Sequence, residues 1–326
     1  MKLIIQIPCF NESQTLAVAL SHLPRQVEGV DVVEWLVIDD GSTDTTAEVA
    51  RQSGVDHIVS HPYNMGLAKA FMTGLEACIC NGADIIVNTD ADNQYNAQDI
   101  PKLIKPILDE QADYVIGERP ISQIEHFSIV KKCLQKLGSY AVRMFSKTDV
   151  SDAPSGFRAI TSDAAMQLNV FNQYTYTLET IIQAGHKGIR IVNVPIGVNE
   201  DLRPSRLVKN IASYVRQSMS IIIRSFVIYK PFRFFTTIGL IMIGIGFLIG
   251  LRFLYYYFGG QGSGKLQSLV LAAILSISGV QSIALGFLGE LHATNRKLLE
   301  KLLYEFKKMK YSKPSKGHNG QESFKD

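Results

Sequence analysis

The sequence predicts an α/β domain, a mostly parallel sheet wrapped by helices, followed by a hairpin of two transmembrane helices. Three observations predict it. Short apolar runs alternate with helical patterns over residues 1–200, polar residues collect where those runs end, and two long uncharged stretches follow beyond residue 230.

The strands read as Leu3–Ile7, Trp35–Ile38, His57–Ser60, Ile85–Thr89, Tyr114–Gly117 and Ile189–Val194. Each is a short apolar run of the kind buried on both faces of a parallel sheet. Helical patterns lie between them at Gln14–Leu23, Thr45–Ser53, Leu67–Cys80 and Asp99–Leu108, and Thr45 with Glu48 has capping-box spacing. The polar strand ends are Asn11 and Glu12, Asp39 and Asp40, Asn64, and then Asp90, Asp92 and Gln94. Ligands bind at the carboxyl ends of strands in such sheets. No G-x-G-x-x-G follows the first strand, which argues against a dinucleotide fold of the dehydrogenase type.

Mean hydropathy is only +0.09, but the apolar residues are unevenly spread. Phe234–Leu251 carries no charge, and Leu266–Gly289 is a second uncharged run of 24 residues. Each is near the ~20 residues that cross a bilayer as a helix. Arg252 sits where it can snorkel to the interface beside the aromatics of FLYYYF. Seven Lys or Arg and no Asp or Glu lie between Arg203 and Arg233, and Arg296, Lys297, Lys301, Lys307, Lys308 and Lys310 follow the second run. The loop between the runs has only Lys265, so both ends are expected on the cytoplasmic side.

The expected organisation is therefore an α/β domain at 1–202 and basic, amphipathic interfacial helices at 203–232. Transmembrane helices follow at about 234–258 and 266–289, within 233–290, and then a basic cytoplasmic tail, 291–326, that is disordered in part. A homo-oligomer through the membrane helices is compatible with this plan. The start, MKLIIQIPCFNE, turns polar too early for a signal peptide. Cys9, Cys78, Cys80 and Cys133 have no paired ligand spacing and suit a reducing cytosol. The net charge of +3 conceals a local basic belt suited to an anionic membrane surface. Basic residues interleaved with stacking aromatics are missing, so no nucleic-acid partner is expected.

Asp90-Ala91-Asp92 is a D-x-D pattern. Carboxylate oxygens suit Mg²⁺ or Mn²⁺, which keep positions open for the phosphate oxygens of a nucleotide diphosphate. Gln94 adds a neutral oxygen from the same face if the chain stays extended. Such a cation stabilises charge growing on a leaving diphosphate.

IPCFNE at 7–12, VIDDGSTDTT at 37–46, NMGLAKA at 64–70 and TDADNQY at 89–95 resemble the glycosyltransferases of family 2, of GT-A fold. DAPSGFRA at 152–159, IRIVNVPI and the segment from Arg203 to Arg206 further resemble the polyprenyl-phosphate glycosyltransferases, the dolichyl-phosphate mannose synthase group. The resemblance covers residues 1 to about 210. It implies that Pro8, Asn11, Glu12, Asp39 and Asp40 hold the base and ribose of a UDP- or GDP-linked sugar, with Lys69 on the nucleotide side. It implies Asp90, Asp92 and Gln94 as metal ligands, Asp90 also lying against the nucleotide sugar, and Asp90, Asp92 and Arg203 as the catalytic group. Arg119, Lys131, Arg203 and Arg206 would meet the acceptor phosphate. Two departures stand out: the family's R-x-x-G-x-S-K is here Arg203-Pro204-Ser205-Arg206, and a position often Arg is Lys131. Arg158 reads equally as a substrate contact or as a residue that holds its loop, and Ser155 and Gly156 read as shapers of that loop.

The reaction implied is hexosyl transfer with inversion from the nucleotide sugar to a polyprenyl phosphate, undecaprenyl or dolichyl, for cell-envelope glycans or glycoconjugates. The expected location is the bacterial inner membrane. A lipid phosphate is already anionic at neutral pH, whereas an alcohol acceptor needs a general base. The alternative is a processive or other family 2 enzyme with a hydroxyl acceptor, but processive synthases carry Q-x-x-R-W and the one tryptophan here is Trp35, inside a strand. A non-catalytic membrane scaffold is opposed by the intact acids, and a nucleotidyltransferase by the lack of a glycine-rich basic loop at IPCFNE.

Overall fold

The computed structural model describes residues 1–120, 143, 148–170, 176–199, 220, 224, 227–260 and 266–311. Its strands are β1 (Lys2–Cys9), β2 (Val32–Asp39), β3 (His57–Ser60), β4 (Ile85–Asn88), β5 (Tyr114–Glu118), β6 (Arg158–Thr161) and β7 (Ile191–Pro195). The α-helices are α1 (Leu16–His22), α2 (Thr46–Gln52), α3 (Leu67–Cys80), α4 (Ile100–Leu108), α5 (Ser162–Gln167), α6 (Thr177–Lys187), α7 (Pro231–Phe258) and α8 (Leu266–Tyr311), with a 3₁₀ turn at Ala97–Asp99.

The seven strands form one sheet in the order β3-β2-β1-β4-β6-β5-β7. The pairs β1–β2, β1–β4, β2–β3 and β5–β7 are parallel, while β6 runs antiparallel to both its neighbours. Register then sets the position of the site. Cys9 pairs with Asp39, Asp39 with Ser60, and Gln6 with Asn88, so the carboxyl ends of β1 to β4 lie side by side. Because β6 is reversed, its first residue, Arg158, pairs with Asn88 and Ile116, and the loop before it arrives at the same end of the sheet. The sheet is filled from both sides: Leu3, Ile4, Ile5, Leu36, Val37, Ile86, Val87 and Val115 are each wholly buried.

The β6 strand is absent from the sequence reading. Four residues, RAIT, directly after a Pro- and Gly-containing loop give too short an alternation to register as a strand. The capping box at Thr45 and Glu48 does not form either. Thr45 makes no side-chain cap, and the Asp44 carboxylate accepts from the Thr46 N–H at 3.0 Å instead. A carboxylate one position earlier is the stronger acceptor for a helix start.

The chain divides into two compact units, Met1–Arg206 with Leu303–Asp326, and Leu207–Leu302. In the second, α7 and α8 are both long and apolar enough to cross a membrane. The helix that carries the second apolar run extends beyond residue 289. It continues unbroken to Tyr311, because no Gly or Pro follows Gly289 in the helix and Leu, Glu, Lys and Arg prevail there. The part of the expected tail up to Tyr311 is therefore helix, and the rest lies outside the described residues, as does most of the expected interfacial segment 203–232.

The two long helices meet through small residues spaced by sevens: Gly239 and Gly246 on α7, Ala272, Gly279, Gly286 and Ala293 on α8. A Cβ on Gly279 would lie 2.7 Å from the Gly239 carbonyl oxygen, and one on Gly239 would lie 2.6 Å from that of Gly279. Only glycine permits this approach, and the Ser282 hydroxyl adds a 3.0 Å hydrogen bond to the Phe235 carbonyl. Leu240, Phe247, Leu248, Ile274, Val280 and Phe287 are exposed. Gly279→Val should therefore lower stability by about 1–3 kcal/mol, the usual cost of overpacking. Gly250→Val, where a Cβ meets nothing within 4 Å, should leave it unchanged. Thermal unfolding of the two variants in detergent checks this, and equal midpoints would contradict the packing.

Candidate functional site

The loops after β1 and β2 are laced together. The backbone N–H groups of Asn11, Glu12 and Ser13 donate to Ser42 Oγ (2.9 Å), Thr46 Oγ1 (2.9 Å) and Asp44 Oδ2 (3.2 Å). In return Asn11 Oδ1 accepts from the Thr43 N–H at 2.8 Å. Asn11 has φ +54°, a left-handed conformation that asparagine tolerates better than most residues. Pro8 is buried in β1, opposite Ile38 and two residues past the last pairing with β4, where a missing N–H breaks no ladder there. Glu12 is buried, one oxygen accepting from Thr15 Oγ1 at 2.9 Å. Asp39 is also buried, and its Oδ1 accepts from the Ser42 N–H at 3.0 Å, which folds the turn and not the following helix.

Asp40 is placed differently from the expectation. Its Oδ1 accepts from the Met65 N–H (2.9 Å) and lies 2.7 Å from His61 Nδ1, and its Oδ2 accepts from the Gly66 N–H (2.8 Å). A carboxylate has about four acceptor directions, so the protein occupies most of them. Here Asp40 holds the loop that leads into α3, with His61 Nε2 braced in turn by Thr73 Oγ1 at 3.0 Å. Lys69 stands exposed in the first turn of that helix.

The D-x-D segment is a turn and not extended chain. β4 ends at Asn88, Ala91 and Asp92 turn, and Asn93 has φ +58°. The alternation survives all the same: Asp90, Asp92 and Gln94 are half-buried while Ala91, Asn93 and Tyr95 are buried. The shared face comes from the turn, whose Asp92 Oδ1 accepts from the Gln94 N–H at 3.2 Å.

Beneath it lies a network that sequence reasoning missed. Gln6 Nε2 donates to Asn88 Oδ1 (2.9 Å), and Asn88 Nδ2 donates to the Gly156 carbonyl (2.8 Å) and to Tyr176 Oη (2.9 Å). The Gly156 N–H donates to Tyr95 Oη at 2.8 Å. Gly156 is dictated by the site, since a Cβ there would come within 3.0 Å and 3.1 Å of the Asp90 carboxylate oxygens. Arg158, 1% exposed, donates to the carbonyls of Ser155 and Ala153 and to the hydroxyls of Tyr114 and Thr180. It holds the 153–156 loop from within, which favours the structural reading of the two its sequence position allowed. The signal available was one amide, Gln6 and Asn88, inside each of two otherwise apolar neighbouring strands.

Arg119 also differs from a freely presented phosphate ligand. It is buried, its Nε and Nη2 forming a fork with Asp152 at 2.7 and 3.0 Å, and its backbone N–H reaches the same carboxylate. Burial opposes its charge, but Tyr95, Asp152 and Asp90 more than restore it and raise its pKa. Lys131, Arg203 and Arg206 lie outside the described residues.

The acids crowd one another. Burial first, then the charges of Glu12, Asp39, Asp90 and Asp44, pushes the Cys9 thiol up. Burial, then the charge of Asp92, pushes Asp90 up to about 7, against the pull of Arg119 and Arg158. Two neighbouring carboxylates with an all-oxygen donor set fit a hard divalent cation. Among the described residues no group of three His, Cys, Asp or Glu side chains could hold a metal alone, so such a cation would need oxygens from Gln94 and a bound ligand.

The model of the family described as "Glycosyl transferase family 2" matches residues 4–168, just over half of the chain. An undecaprenyl-phosphate mannosyltransferase of Micrococcus luteus is 28% identical over 64% of this chain and 88% of its own length. A UDP-N-acetylglucosamine–dolichyl-phosphate N-acetylglucosaminyltransferase of Methanococcus voltae is 28% identical over 58% of this chain and 82% of its own. Among solved structures, glucosyl-3-phosphoglycerate synthase of Mycobacterium tuberculosis, in complex with Mn²⁺, UDP and glucosyl-3-phosphoglycerate, superposes with a TM-score of 0.56. It is 23% identical and covers 69% of this chain and 79% of its own, a likeness of fold.

The raised Asp90 carries a prediction for stability. With an ordinary carboxyl pKa of 3.8 when unfolded and about 7 when folded, the folded protein keeps a proton that the unfolded chain has released between those values. The contribution of Asp90 to stability therefore falls as pH rises from about 4 to about 7 and levels off above. Asp90→Asn removes that cost. Its thermal midpoint in metal-free buffer should match wild type near pH 4 and exceed it increasingly up to pH 7. A constant difference across this range would contradict the assignment.

Proposed function

The chain belongs to glycosyl transferase family 2, and on that premise we propose that it moves a sugar from a nucleotide diphosphate to a polyprenyl phosphate at a membrane. One observation carries the proposal: a single chain joins a D-x-D turn at the carboxyl ends of its sheet to two helices apolar enough to cross a bilayer. The lipid-phosphate acceptors in the names of the Micrococcus and Methanococcus relatives support the same acceptor here.

In this reading Asn11, Glu12 and Asp39, with Pro8 behind them, receive the base and ribose, and Asp40 positions the loop beside them. Asp90 and Asp92, with Gln94, would hold Mg²⁺ or Mn²⁺, which when bound would supply positive charge to the leaving diphosphate. An oxygen of the lipid phosphate attacks the anomeric carbon from the side opposite the diphosphate. The bond from that carbon to the diphosphate oxygen breaks as the new one forms, with inversion. Arg203, Arg206 and Lys131 orient the acceptor phosphate, Arg through its planar fork. Arg119, held by Asp152, contributes positive potential at Asp90.

The acceptor class also agrees with how the imidazoles near the turn are used. His61 is held between Asp40 and Thr73, and His22 Nδ1 lies 3.2 Å from Asn93 Oδ1. A hydroxyl acceptor would call for a general base, and recruiting either imidazole would disturb a loop of the site. A phosphate acceptor needs none.

The test incubates membranes containing the protein with a panel of UDP- and GDP-sugars and polyprenyl phosphate, then identifies the glycolipid by mass. A lipid-phosphate sugar should form, stop in EDTA and resume with Mn²⁺ or Mg²⁺. Asp92→Ala should abolish transfer, and Gln94→Ala should weaken it less because a neutral ligand contributes less charge. Full activity in EDTA would remove the metal from the mechanism, and product only with a free sugar or glycan acceptor would favour the hydroxyl-acceptor alternative.

The proposed topology has both termini cytoplasmic and the loop between α7 and α8 outside. In intact cells an impermeant thiol reagent should label Ser263→Cys and spare Ser312→Cys. The opposite pattern would reverse the orientation drawn from charge.

A further inference from the structure

We propose that Asn199 is a positioning residue for the cation-holding turn, an assignment that rests on the metal reading of Asp90, Asp92 and Gln94 given above. Beyond β7 the chain turns back along the D-x-D segment, with Val198 bridged to Tyr95 in antiparallel fashion. There Asn199 takes hold of three successive carbonyls. Its Nδ2 donates to the Asn93 oxygen at 2.9 Å and the Tyr95 oxygen at 3.1 Å, and its backbone N–H donates to the Gln94 oxygen at 2.9 Å.

The turn needs such a brace. Asn93 stands at φ +58°, outside the strand ladder, so the carbonyls from 93 to 95 have lost the β-sheet donors that a continued β4 would have given them. The side-chain bond from the Gln94 N–H to Asp92 lies on the N–H side of the turn and does not serve these carbonyls. The replacement comes from a residue 104 to 106 positions away. Asparagine suits the task because one nitrogen carries two N–H donors that diverge toward two acceptors, whereas aspartate carries none and alanine has no polar atom. His22, against the Asn93 side chain, braces the turn from the other flank.

Asp92 and Gln94 flank Asn93, so fixing the peptide planes at 93 and 94 fixes the directions of two of the three ligands. Groups that orient metal ligands without touching the metal commonly matter about 10- to 100-fold in metal affinity. Asn199 touches none of the ligand oxygens and acts through the turn alone. Removing its side chain should loosen the geometry of the cation without removing any ligand or any part of the nucleoside pocket.

The experiment uses the full chain in detergent and measures the affinity for UDP and for GDP, each in Mn²⁺ and in EDTA, alongside the electron paramagnetic resonance of free Mn²⁺. Wild type should bind the matching nucleotide at least about tenfold more tightly with Mn²⁺ than in EDTA. In Asn199→Ala and Asn199→Asp that enhancement should shrink to about threefold or less, while affinity in EDTA stays within about twofold of wild type. Asn199→Ser, which keeps one donor, should fall between. Unaltered enhancement in all three variants would overturn the role of Asn199 and leave the metal reading intact. No enhancement in wild type would overturn the metal reading and this inference with it. Equal loss of affinity in EDTA and in Mn²⁺ would mark Asn199 as a residue of the fold alone, against the proposal.

Discussion

The site depends on one buried amide. Asn88 ends β4 and is 2% exposed, and its carboxamide joins Gln6 of β1 to the Gly156 carbonyl and to Tyr176 on the residue before α6. A buried carboxamide that loses its partners costs on the order of 1–3 kcal/mol for each group left unmade. The arrangement of these separate segments is therefore fixed as a set. Gly156, once held there, presents its backbone to Asp90 and its N–H to Tyr95, and the ring of Tyr95 stacks on Phe157 at 5.2 Å. The position of the D-x-D turn follows from hydrogen bonds below it as much as from the strand that leads into it.

The reversed strand β6 makes that network reachable. In an all-parallel sheet the loop before β6 would lie at the amino ends of its neighbours. Reversed, it brings Asp152 to Gly156 to the carboxyl end of β4, and with them the anchors of Arg119 and Arg158. Two guanidiniums thus lie behind a cluster of acids, and they lower the Asp90 pKa without cancelling the effects of burial and of Asp92. The protein without ligand carries an unfavourable concentration of negative charge at the strand ends. A cation would relieve it, so under the proposed function the destabilised state and cation binding have the same origin.

Much of this was legible in the sequence, and the parts that were not share a cause. His57–Ser60 and Leu67–Cys80 were read with their observed limits, because each is bounded by polar or Gly residues and has one clear periodicity. The polar strand ends were legible because carboxylates following an apolar run are poor core residues. Hidden from a local reading was whatever depends on a partner far along the chain. Asp40 looks like a ligand until the loop at 61–66 folds back onto it. Arg119 looks free until Asp152 arrives beside it. The D-x-D looks extended until the chain beyond β7 takes the carbonyls of the three residues that follow it. Local pattern reports burial and chain direction, but it does not report how many acceptor sites of a carboxylate the fold has already filled.

That distinction separates two kinds of acid at these strand ends. Asp40 is almost wholly occupied by backbone N–H groups and an imidazole, so its charge is compensated within the fold whether or not a ligand is present. Among the described residues Asp90 has no comparable set of donors: its neighbours there include the backbone of Gly156, which turns a bare Cα toward it, and the carboxylate of Asp92. The first kind stabilises the unliganded protein and sets loop positions. The second is destabilising until something positive arrives. Sorting carboxylates by the donors already committed to them, and not by motif, divides the acids of this chain into those that build the pocket and those that remain for its contents.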